Sequence, residues 1–218
     1  MIIVDCPQNS PEWDQCRLGI PTASNFGKIL TATGKVSAQR QDYMYDLAGE
    51  AVSGRHEETF NSFRMQQGSE KEAESRMVYA MDSEVEVRQV GFVYKDERRM
   101  FGCSPDGLID PDGGFESKDA KFKVQIKRLL DGKMVTEHIP QVQGGLYVCE
   151  REWWLFRSYC SDLPSLNIRC ERDEAYISRL AEELEKFCYE LAGKIKELRE
   201  MGRNEKQLLT RKHRFKGE

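Results

Sequence analysis

A tight turn near the middle of the chain constrains its fold more than any other feature of the sequence. Residues 110–114 read Asp-Pro-Asp-Gly-Gly, a combination typical of turns, and they separate two extended runs. We therefore expect two neighbouring strands, with Asp106 on the first run and Glu116 on the second. Because strand side chains repeat every two residues, Lys118 should lie on the same face as Glu116. The turn thus predicts a hairpin-like segment that brings two carboxylates and a lysine together.

The remaining sequence favours an α/β (α+β) fold, in which a central mixed sheet is flanked by helices. Strand patterns occur in four segments, namely residues 85–94, 100–103, 153–156 and 166–170. Helical patterns occur in four others, namely residues 11–19, 38–53, 69–81 and 137–150. The clearest element is a long amphipathic helix, whose apolar residues recur three and four positions apart from Ile177 to Met201.

The domain organisation is simple, because the sequence contains no internal repeat and no linker rich in proline, glycine or serine. We assign a single domain to residues 1–202, which is an ordinary size for one core. A polar, basic tail follows at residues 203–218. We expect this tail to be disordered, with binding to DNA or to a partner as the alternative.

Composition excludes several classes of protein. No segment approaches the roughly 20 apolar residues of a membrane span, and the amino terminus lacks a secretion signal, so we expect a cytoplasmic protein. The seven cysteines include no Cys-x-x-Cys pair, which predicts reduced and mostly buried thiols. The three histidines are too few for a histidine-rich site. A net charge of −4 argues against a protein that coats nucleic acid, but it leaves room for a nucleic-acid enzyme.

The hairpin segment has the residues that metal-assisted phosphodiester hydrolysis requires. Mg²⁺ takes oxygen ligands, so Asp106, Glu116 and the carbonyl of Ser117 suit it. Such an ion lowers the pKa of a bound water, and Lys118 can orient that water or offset charge on the phosphate. By itself, however, the spacing Asp-x(9)-Glu-x-Lys arises easily in a chain that is 32% charged. A solvated strand edge with an incidental ion pair is therefore an open alternative at this point.

Five sequence blocks, in a specific order, raise the specificity of this signal. They are Trp13-x(3)-Arg17-Leu18-Gly19-x(2)-Thr22-Ala23-Ser24, Gly68-x(3)-Glu72-x(3)-Arg76, Cys103-Ser104-Pro105-Asp106-Gly107-Leu108, Glu116-Ser117-Lys118, and Gln141-Val142-Gln143 followed by an aromatic strand from Trp153. With these blocks the chain resembles the phage lambda exonuclease family, the YqaJ-like viral recombinase nucleases of the PD-(D/E)XK superfamily. The resemblance runs from Trp13 to about Gly202.

This resemblance implies a restriction-endonuclease-like core and a processive, Mg²⁺-dependent exonuclease. Such an enzyme degrades one strand of double-stranded DNA from 5′-phosphorylated ends to mononucleotides and leaves 3′ overhangs. The resemblance also implies two Mg²⁺ ions, with Mn²⁺ as an alternative, and a homotrimeric ring around the DNA. A single-strand annealing protein is the expected partner, and the cytoplasm of a bacterial or phage-infected cell is the expected location.

The same resemblance implies roles for individual active-site residues. Asp106, Glu116 and the Ser117 carbonyl correspond to metal ligands, and Lys118 corresponds to the catalytic lysine. Glu72 corresponds to a helix carboxylate near the second metal, and Gln141 to an active-site glutamine. Gln143 is left out of this set, because residues two apart on a helix do not share a face.

Three further residues correspond to a pocket for the terminal 5′-phosphate, namely Arg17, Ser24 and Ser104. A guanidinium and two hydroxyls are suitable donors for a phosphate that carries more charge than an internal diester. Two alternatives remain open, a surface ion pair for Arg17 and a helix cap for Ser24. Met65 corresponds to an apolar wedge at the DNA fork, with ordinary packing as its alternative.

The chain departs from the family pattern after the lysine. Asp119-Ala120-Lys121 stands where the family often has Cys-Pro, and Val124 stands where the family has an arginine. Nearby cations are expected to replace that arginine in contacting DNA, and they are Lys121, Lys123, Lys127 and Arg128.

Two rival functions share much of this reasoning. A restriction-type or junction-resolving endonuclease uses the same carboxylate–lysine core but needs no pocket for a terminal phosphate. A non-enzymatic protein that binds DNA ends is the second rival, and the presence of every catalytic side-chain type weakens it.

Overall fold

A computed structural model describes the backbone of residues 1–56 and 62–214, and the side chains of residues 1–56 and 70–203. The described strands are β1 (Ile2–Val4), β2 (Phe92–Tyr94), β3 (Gly102–Cys103), β4 (Gly107–Ile109), β5 (Gly113–Asp119), β6 (Trp153–Tyr159) and β7 (Leu166–Glu171). The described α-helices are α1 (Pro11–Arg17), α2 (Arg40–Ser53), α3 (Ser62–Ser83), α4 (Phe122–Asp131), α5 (Ile139–Val148) and α6 (Glu174–Arg214). Short 3₁₀ helices cover Ala23–Lys28 and Thr136–His138.

The strands form two sheets, the predicted mixed sheet and a smaller antiparallel one. An antiparallel sheet has the order β1-β2-β3, and a second sheet has the order β4-β5-β6-β7. The second sheet is mixed as predicted, because β5 and β6 run parallel while its other pairs are antiparallel. Pro105 lies between β3 and β4 and has no N–H for a ladder hydrogen bond, which is consistent with the break between the sheets.

The predicted hairpin is confirmed. Strands β4 and β5 pair antiparallel, with Gly107 opposite Phe115 and Ile109 opposite Gly113. Both glycines at the start of β5 are required by close packing, because a Cβ atom on Gly114 would lie 2.1 Å from the ring of Trp154. This packing lets the neighbouring strand β6 approach the hairpin and hold it in place.

Helices cover both faces of the mixed sheet. On one face, α3 packs against β5, where the rings of Tyr79 and Phe115 lie 5.4 Å apart. On the other face lies the main core, to which α2, α5, α6 and the first 3₁₀ helix contribute, with fully buried side chains that include Phe26, Met44, Leu146, Trp154, Phe156, Leu180, Leu184 and Phe187. The α/β architecture predicted from sequence is therefore confirmed.

Several predicted boundaries are wrong. The strand expected over residues 85–94 is confined to Phe92–Tyr94, and β1 was not predicted. Helix α4 was missed because its polarity is inverted: Gln125 is fully buried, whereas Ile126 and Leu130 are exposed. An apolar pattern of this kind does not indicate which side of a helix faces the core.

The end of the chain also differs from the prediction. Helix α6 continues to Arg214 instead of ending at Met201, so residues 203–214 are helical rather than disordered. The tail contains good helix formers such as leucine, lysine, glutamine and arginine, which favour continuation of the helix.

The state of the cysteines agrees with expectation. All seven cysteines are free thiols, and five of them are buried. Within the described part of the chain, no helix has the length and apolarity needed to cross a membrane.

Candidate active site

Asp106 is held where the segment after β3 meets the hairpin. Gln8 donates from Nε2 to the carbonyl of Pro105 at 2.9 Å, which fixes the backbone next to Asp106. The Asp106 side chain is only 7% exposed. Its Oδ2 accepts a hydrogen bond of 2.6 Å from the backbone N–H of Ser117 on β5. The first predicted carboxylate therefore points at the strand that carries the second.

Glu116 is the centre of the cluster and is 3% exposed. Its Oε1 lies 2.5 Å from Nζ of Lys118, so the two side chains share a face of β5 as predicted. The same oxygen accepts a hydrogen bond of 2.6 Å from Nε2 of Gln141, which α5 brings from the other side. Glu116 is thus fixed by one cation and one amide.

Helix α3 contributes a third carboxylate and an arginine. Glu72 Oε1 lies 3.5 Å from Nη1 of Arg76, one helical turn away. Arg76 also donates from Nη1 to the carbonyl of Asp106 at 2.9 Å, so it links the helix to the catalytic segment. Burial, followed by the charge of Glu116, raises the pKa of Glu72. The structure therefore brings Glu72 to the site, and Arg76 is a contact that the sequence pattern contained without an assigned role.

Ser75 is a second residue that sequence reasoning missed. Its hydroxyl is fully buried and lies 2.6 Å from the hydroxyl of Ser117. The two hydroxyls tie α3 to β5 directly behind the carboxylates. Only its place on the same helix, three residues after Glu72 and one before Arg76, could have suggested it, because nothing in the sequence pairs positions 75 and 117.

The charges in the cluster do not balance. Burial raises the pKa of Asp106 well above its usual value, and the charges of Glu116 and Glu72 raise it further. Burial lowers the pKa of Lys118, but the charges of Glu116 and Asp106 outweigh it and the net shift is upward. In the metal-free site Lys118 is therefore an ammonium group that can donate hydrogen bonds. Three carboxylates facing one lysine and one arginine form a site suited to a further cation.

The residues present fit a divalent metal ion. Among the described side chains, no three His, Cys, Asp or Glu residues already form a metal-binding group. Mg²⁺ commonly uses only one or two carboxylates together with waters and substrate oxygens. The buried pair of Asp106 and Glu116, with its surplus negative charge, meets that requirement.

A stability measurement tests this reading of the charges. An acid whose pKa is raised by folding destabilises the folded state once the pH exceeds its unfolded pKa, because the unfolded state ionises more easily. We expect metal-free Asp106→Asn to unfold about 2 °C or more above the wild type at about pH 8. The difference should become small near about pH 4, where the carboxyl is protonated in the folded state and about half protonated in the unfolded state.

Thermal melts in EDTA at several pH values provide the measurement. Asp119→Asn is the matched control, since Asp119 is exposed and pairs with Lys71 at 3.0 Å. It should not raise the melting temperature. A variant Asp106→Asn that melts at or below the wild-type temperature at high pH would contradict the electrostatic account.

The predicted phosphate pocket lies beside the carboxylates in the same cavity. This cavity has a volume of about 340 Å³, and its walls include Arg17, Ser24, Ser104, Asp106 and Glu116. The structure therefore brings together all three of the predicted phosphate-binding residues and both carboxylates.

The local contacts bear on the two alternatives for these pocket residues. Arg17 lies with its Cζ atom 3.8 Å from the centroid of the Trp13 ring. No salt bridge to Arg17 is present among the described side chains, so the surface ion pair is not found. Thr22, not Ser24, is the N-cap of the 3₁₀ helix Ala23–Lys28, and Ser24 lies within that helix. The Ser24 hydroxyl is exposed and lies 3.2 Å from that of Thr22.

Two other predictions concern residues outside the cluster. Gln143 is turned away from Gln141 as predicted, because its amide bonds the carbonyl of Glu171 and the N–H of Asp173. Met65, the predicted wedge, lies outside the residues whose side chains are described.

Three of the four cations expected to replace the missing arginine are exposed. Lys121, Lys123 and Lys127 are exposed on or beside α4. Arg128 points inward instead and donates to the hydroxyl of Ser158 at 3.0 Å. With a side chain that is 12% exposed, Arg128 is less available for a DNA contact than the three lysines.

Comparisons with known proteins give a consistent result. Residues 12–152 match the YqaJ-like viral recombinase domain. An alkaline exonuclease (LHK-Exo) from Laribacter hongkongensis is 31% identical with a TM-score of 0.80, and the match covers 89% of this chain and 99% of that one. Its complex with dAMP matches with a TM-score of 0.79 and 32% identity over the same shares of the two chains.

A more distant structure shows the same fold. A phage related exonuclease from Haemophilus somnus 129PT has a TM-score of 0.60 at 14% identity, and the match covers 84% of this chain and 96% of that one. No curated protein sequence matches the chain.

Proposed function

Because the chain belongs to the family of YqaJ-like viral recombinase domains, we propose that it is a metal-dependent exonuclease that degrades one strand of duplex DNA from the 5′ end. One observation carries this proposal: a single cavity holds both a buried carboxylate–lysine cluster and an arginine–serine pocket. The cluster suits hydrolysis of a phosphodiester, and the pocket suits the terminal phosphate next to it. The solved complex of LHK-Exo with dAMP supports mononucleotides as products.

The proposed roles follow from the contacts around the cluster. Asp106, Glu116 and the carbonyl of Ser117 would hold Mg²⁺, and Glu72 would approach a second ion, with Mn²⁺ as the alternative metal. When bound, the metal supplies an activated water and neutralises charge on the phosphate. Lys118, as an ammonium group, donates to the reacting phosphate while charge develops on it. Gln141 keeps Glu116 in place through its 2.6 Å hydrogen bond.

The cellular role follows from family membership. We propose a homotrimeric ring that encloses the DNA, digestion that leaves 3′ overhangs, and cooperation with a single-strand annealing protein in the cytoplasm of a bacterial or phage-infected cell. Met65 is proposed as the wedge that separates the strands at the fork. Exposed lysines on α4 are proposed to contact the DNA backbone, since phosphate contacts need charge more than exact placement.

A comparison of linear and closed circular duplexes tests the proposal against its rivals. With Mg²⁺, the protein should digest linear duplex and leave closed circles intact. Ready nicking of circles would favour the endonuclease, which needs no end. Binding to linear DNA without any release of nucleotides would favour the non-enzymatic protein.

The phosphate pocket gives a further prediction. Replacement of Arg17 by alanine should reduce the preference for 5′-phosphorylated over 5′-hydroxyl ends by about tenfold or more, because a charged hydrogen bond contributes about 1.5–3 kcal/mol. The measurement is the initial rate of nucleotide release from the two duplexes, each at saturating protein.

The matched control for this variant is Arg169→Ala. Arg169 also stacks on a tryptophan, with its Cζ atom 4.1 Å from the Trp153 ring centroid, but it lies outside the cavity. Its replacement should leave the end preference unchanged. Equal rates on both kinds of end, unaltered by Arg17→Ala, would remove the pocket from the account while leaving the nuclease.

A further inference from the structure

One tryptophan contacts two of the three residues of the proposed phosphate pocket. The indole Nε1 of Trp13 donates a hydrogen bond of 2.8 Å to the hydroxyl oxygen of Ser104. The guanidinium of Arg17 lies over the face of the same indole, with its Cζ atom 3.8 Å from the ring centroid. Trp13 itself makes no hydrogen bond to the carboxylates of the cluster. Any effect that it has on the site therefore passes through Arg17 and Ser104.

The indole is well placed to act as a rigid support. Trp13 is 6% exposed and packs in a small apolar cluster with Phe92 and Tyr94. It lies in the first turn of α1, where its backbone N–H bonds the hydroxyl of the N-cap residue Ser10 at 3.2 Å. Both its ring and its backbone are therefore held in place before any substrate binds.

The hydrogen bond determines how the Ser104 hydroxyl can act. An indole N–H is only a donor, so the Ser104 oxygen must be the acceptor. The hydroxyl proton is then free to point away from the indole, and Ser104 lines the cavity. In this state Ser104 can donate to an anion, as a phosphate oxygen requires.

The stacked guanidinium complements this hydroxyl. A cation held over an aromatic face keeps its N–H groups available, whereas a carboxylate partner would occupy them. Burial lowers the pKa of Arg17, but a guanidinium remains charged throughout the ordinary pH range. Arg17 and Ser104 together present N–H and O–H donors, which match an anionic phosphate better than a neutral hydroxyl end.

We propose that Trp13 is a positioning residue that sets the preference for a 5′-phosphate end, by holding Ser104 as a donor and Arg17 with its N–H groups free. This inference rests on the proposed exonuclease function. It adds that the preference originates in the indole N–H, one step removed from the groups that touch the phosphate.

The variant Trp13→Phe tests the inference, because it keeps an aromatic ring at the position under Arg17 and removes the N–H donor. The ratio of rates on 5′-phosphorylated and 5′-hydroxyl duplexes should fall about three- to tenfold, the contribution of one hydrogen bond. A general loss of folding would lower both rates together and leave the ratio unchanged, so the ratio separates positioning from stability.

A double-mutant cycle makes the test specific to Ser104. In a Ser104→Ala background, Trp13→Phe should change the ratio by less than about twofold, since the partner hydroxyl is already absent. The matched control is Trp153→Phe, which removes an indole hydrogen bond of 3.0 Å to Asp112 outside the cavity. It should leave the ratio at the wild-type value.

The outcomes separate this inference from the proposed function. A ratio that Arg17→Ala lowers and Trp13→Phe leaves unchanged would overturn the role of Trp13 and keep the pocket. If Trp13→Phe lowers the ratio equally in the wild-type and Ser104→Ala backgrounds, its effect does not pass through the hydrogen bond to Ser104, and the proposal is overturned. A wild-type ratio near one would overturn the pocket itself. If Trp13→Phe does not fold, Ser104→Ala alone decides, because an unchanged ratio in that variant contradicts the proposal.

Discussion

The Asp106→Ala variant is expected to fold normally and to lose about a hundredfold or more of its single-turnover rate of DNA cleavage with Mg²⁺. Asp106 is one of two buried carboxylates at the cluster, and its removal takes away one of the proposed ligands for the metal. Chelation by EDTA should produce the same loss in the wild type. The rate is measured by nucleotide release with protein in excess over DNA ends.

Asp162→Ala is the matched control for this experiment, because Asp162 is exposed in the turn between β6 and β7. It should retain the wild-type rate. Activity of more than about a tenth of normal in Asp106→Ala would remove Asp106 from the catalytic site, since loss of a central charge stabiliser should cost far more.

The second large effect is expected for Lys118. Lys118→Ala should lower the single-turnover rate by about a hundredfold or more and leave the affinity for DNA nearly unchanged. The reason is that Lys118 lies 2.5 Å from Glu116 within the cavity, where its ammonium group is proposed to donate to the reacting phosphate.

Lys121→Ala is the informative comparison, because Lys121 lies three residues further along the chain and is exposed. It should weaken DNA binding, particularly at higher salt, and leave the rate of the bound complex unchanged. An unchanged single-turnover rate in Lys118→Ala would reduce Lys118 to an ion-pair partner of Glu116.

The parts of the fold that could be predicted depend on local sequence signals. The Asp-Pro-Asp-Gly-Gly turn specifies the β4–β5 hairpin, and the period of two along β5 places Lys118 beside Glu116. The three-and-four spacing of α6 likewise reports a helix with one buried face. In each case the residues that form the element are close together in the sequence, so their pattern predicts the element.

The parts that could not be predicted depend on contacts between distant segments. Trp13 and Ser104 are 91 positions apart, and Ser75 and Ser117 are 42 apart, so no periodicity links them. Helix α4 could not be predicted from its sequence pattern for a different reason. Its buried side is polar, since Gln125 bonds the carbonyls of Ser158 and Pro164.

The candidate active site likewise contains residues that could be found before the structure was known and one that only the structure revealed. The resemblance to a family supplied Glu72 and Gln141, which the spacing of Asp106, Glu116 and Lys118 alone does not contain. The structure then added Arg76, whose contacts with Glu72 and with the Asp106 carbonyl explain why an arginine follows the helix carboxylate by four positions.

Strand-resolved release of mononucleotides tests the central claim most directly. A linear duplex with 5′-phosphates is labelled with one dye near each 5′ end and another near each 3′ end, and products are followed in Mg²⁺. The account predicts that the 5′ label appears first as a mononucleotide, while the 3′ label stays on a single-stranded overhang. Release that begins at 3′ ends, or fragments cut from the interior, would contradict it.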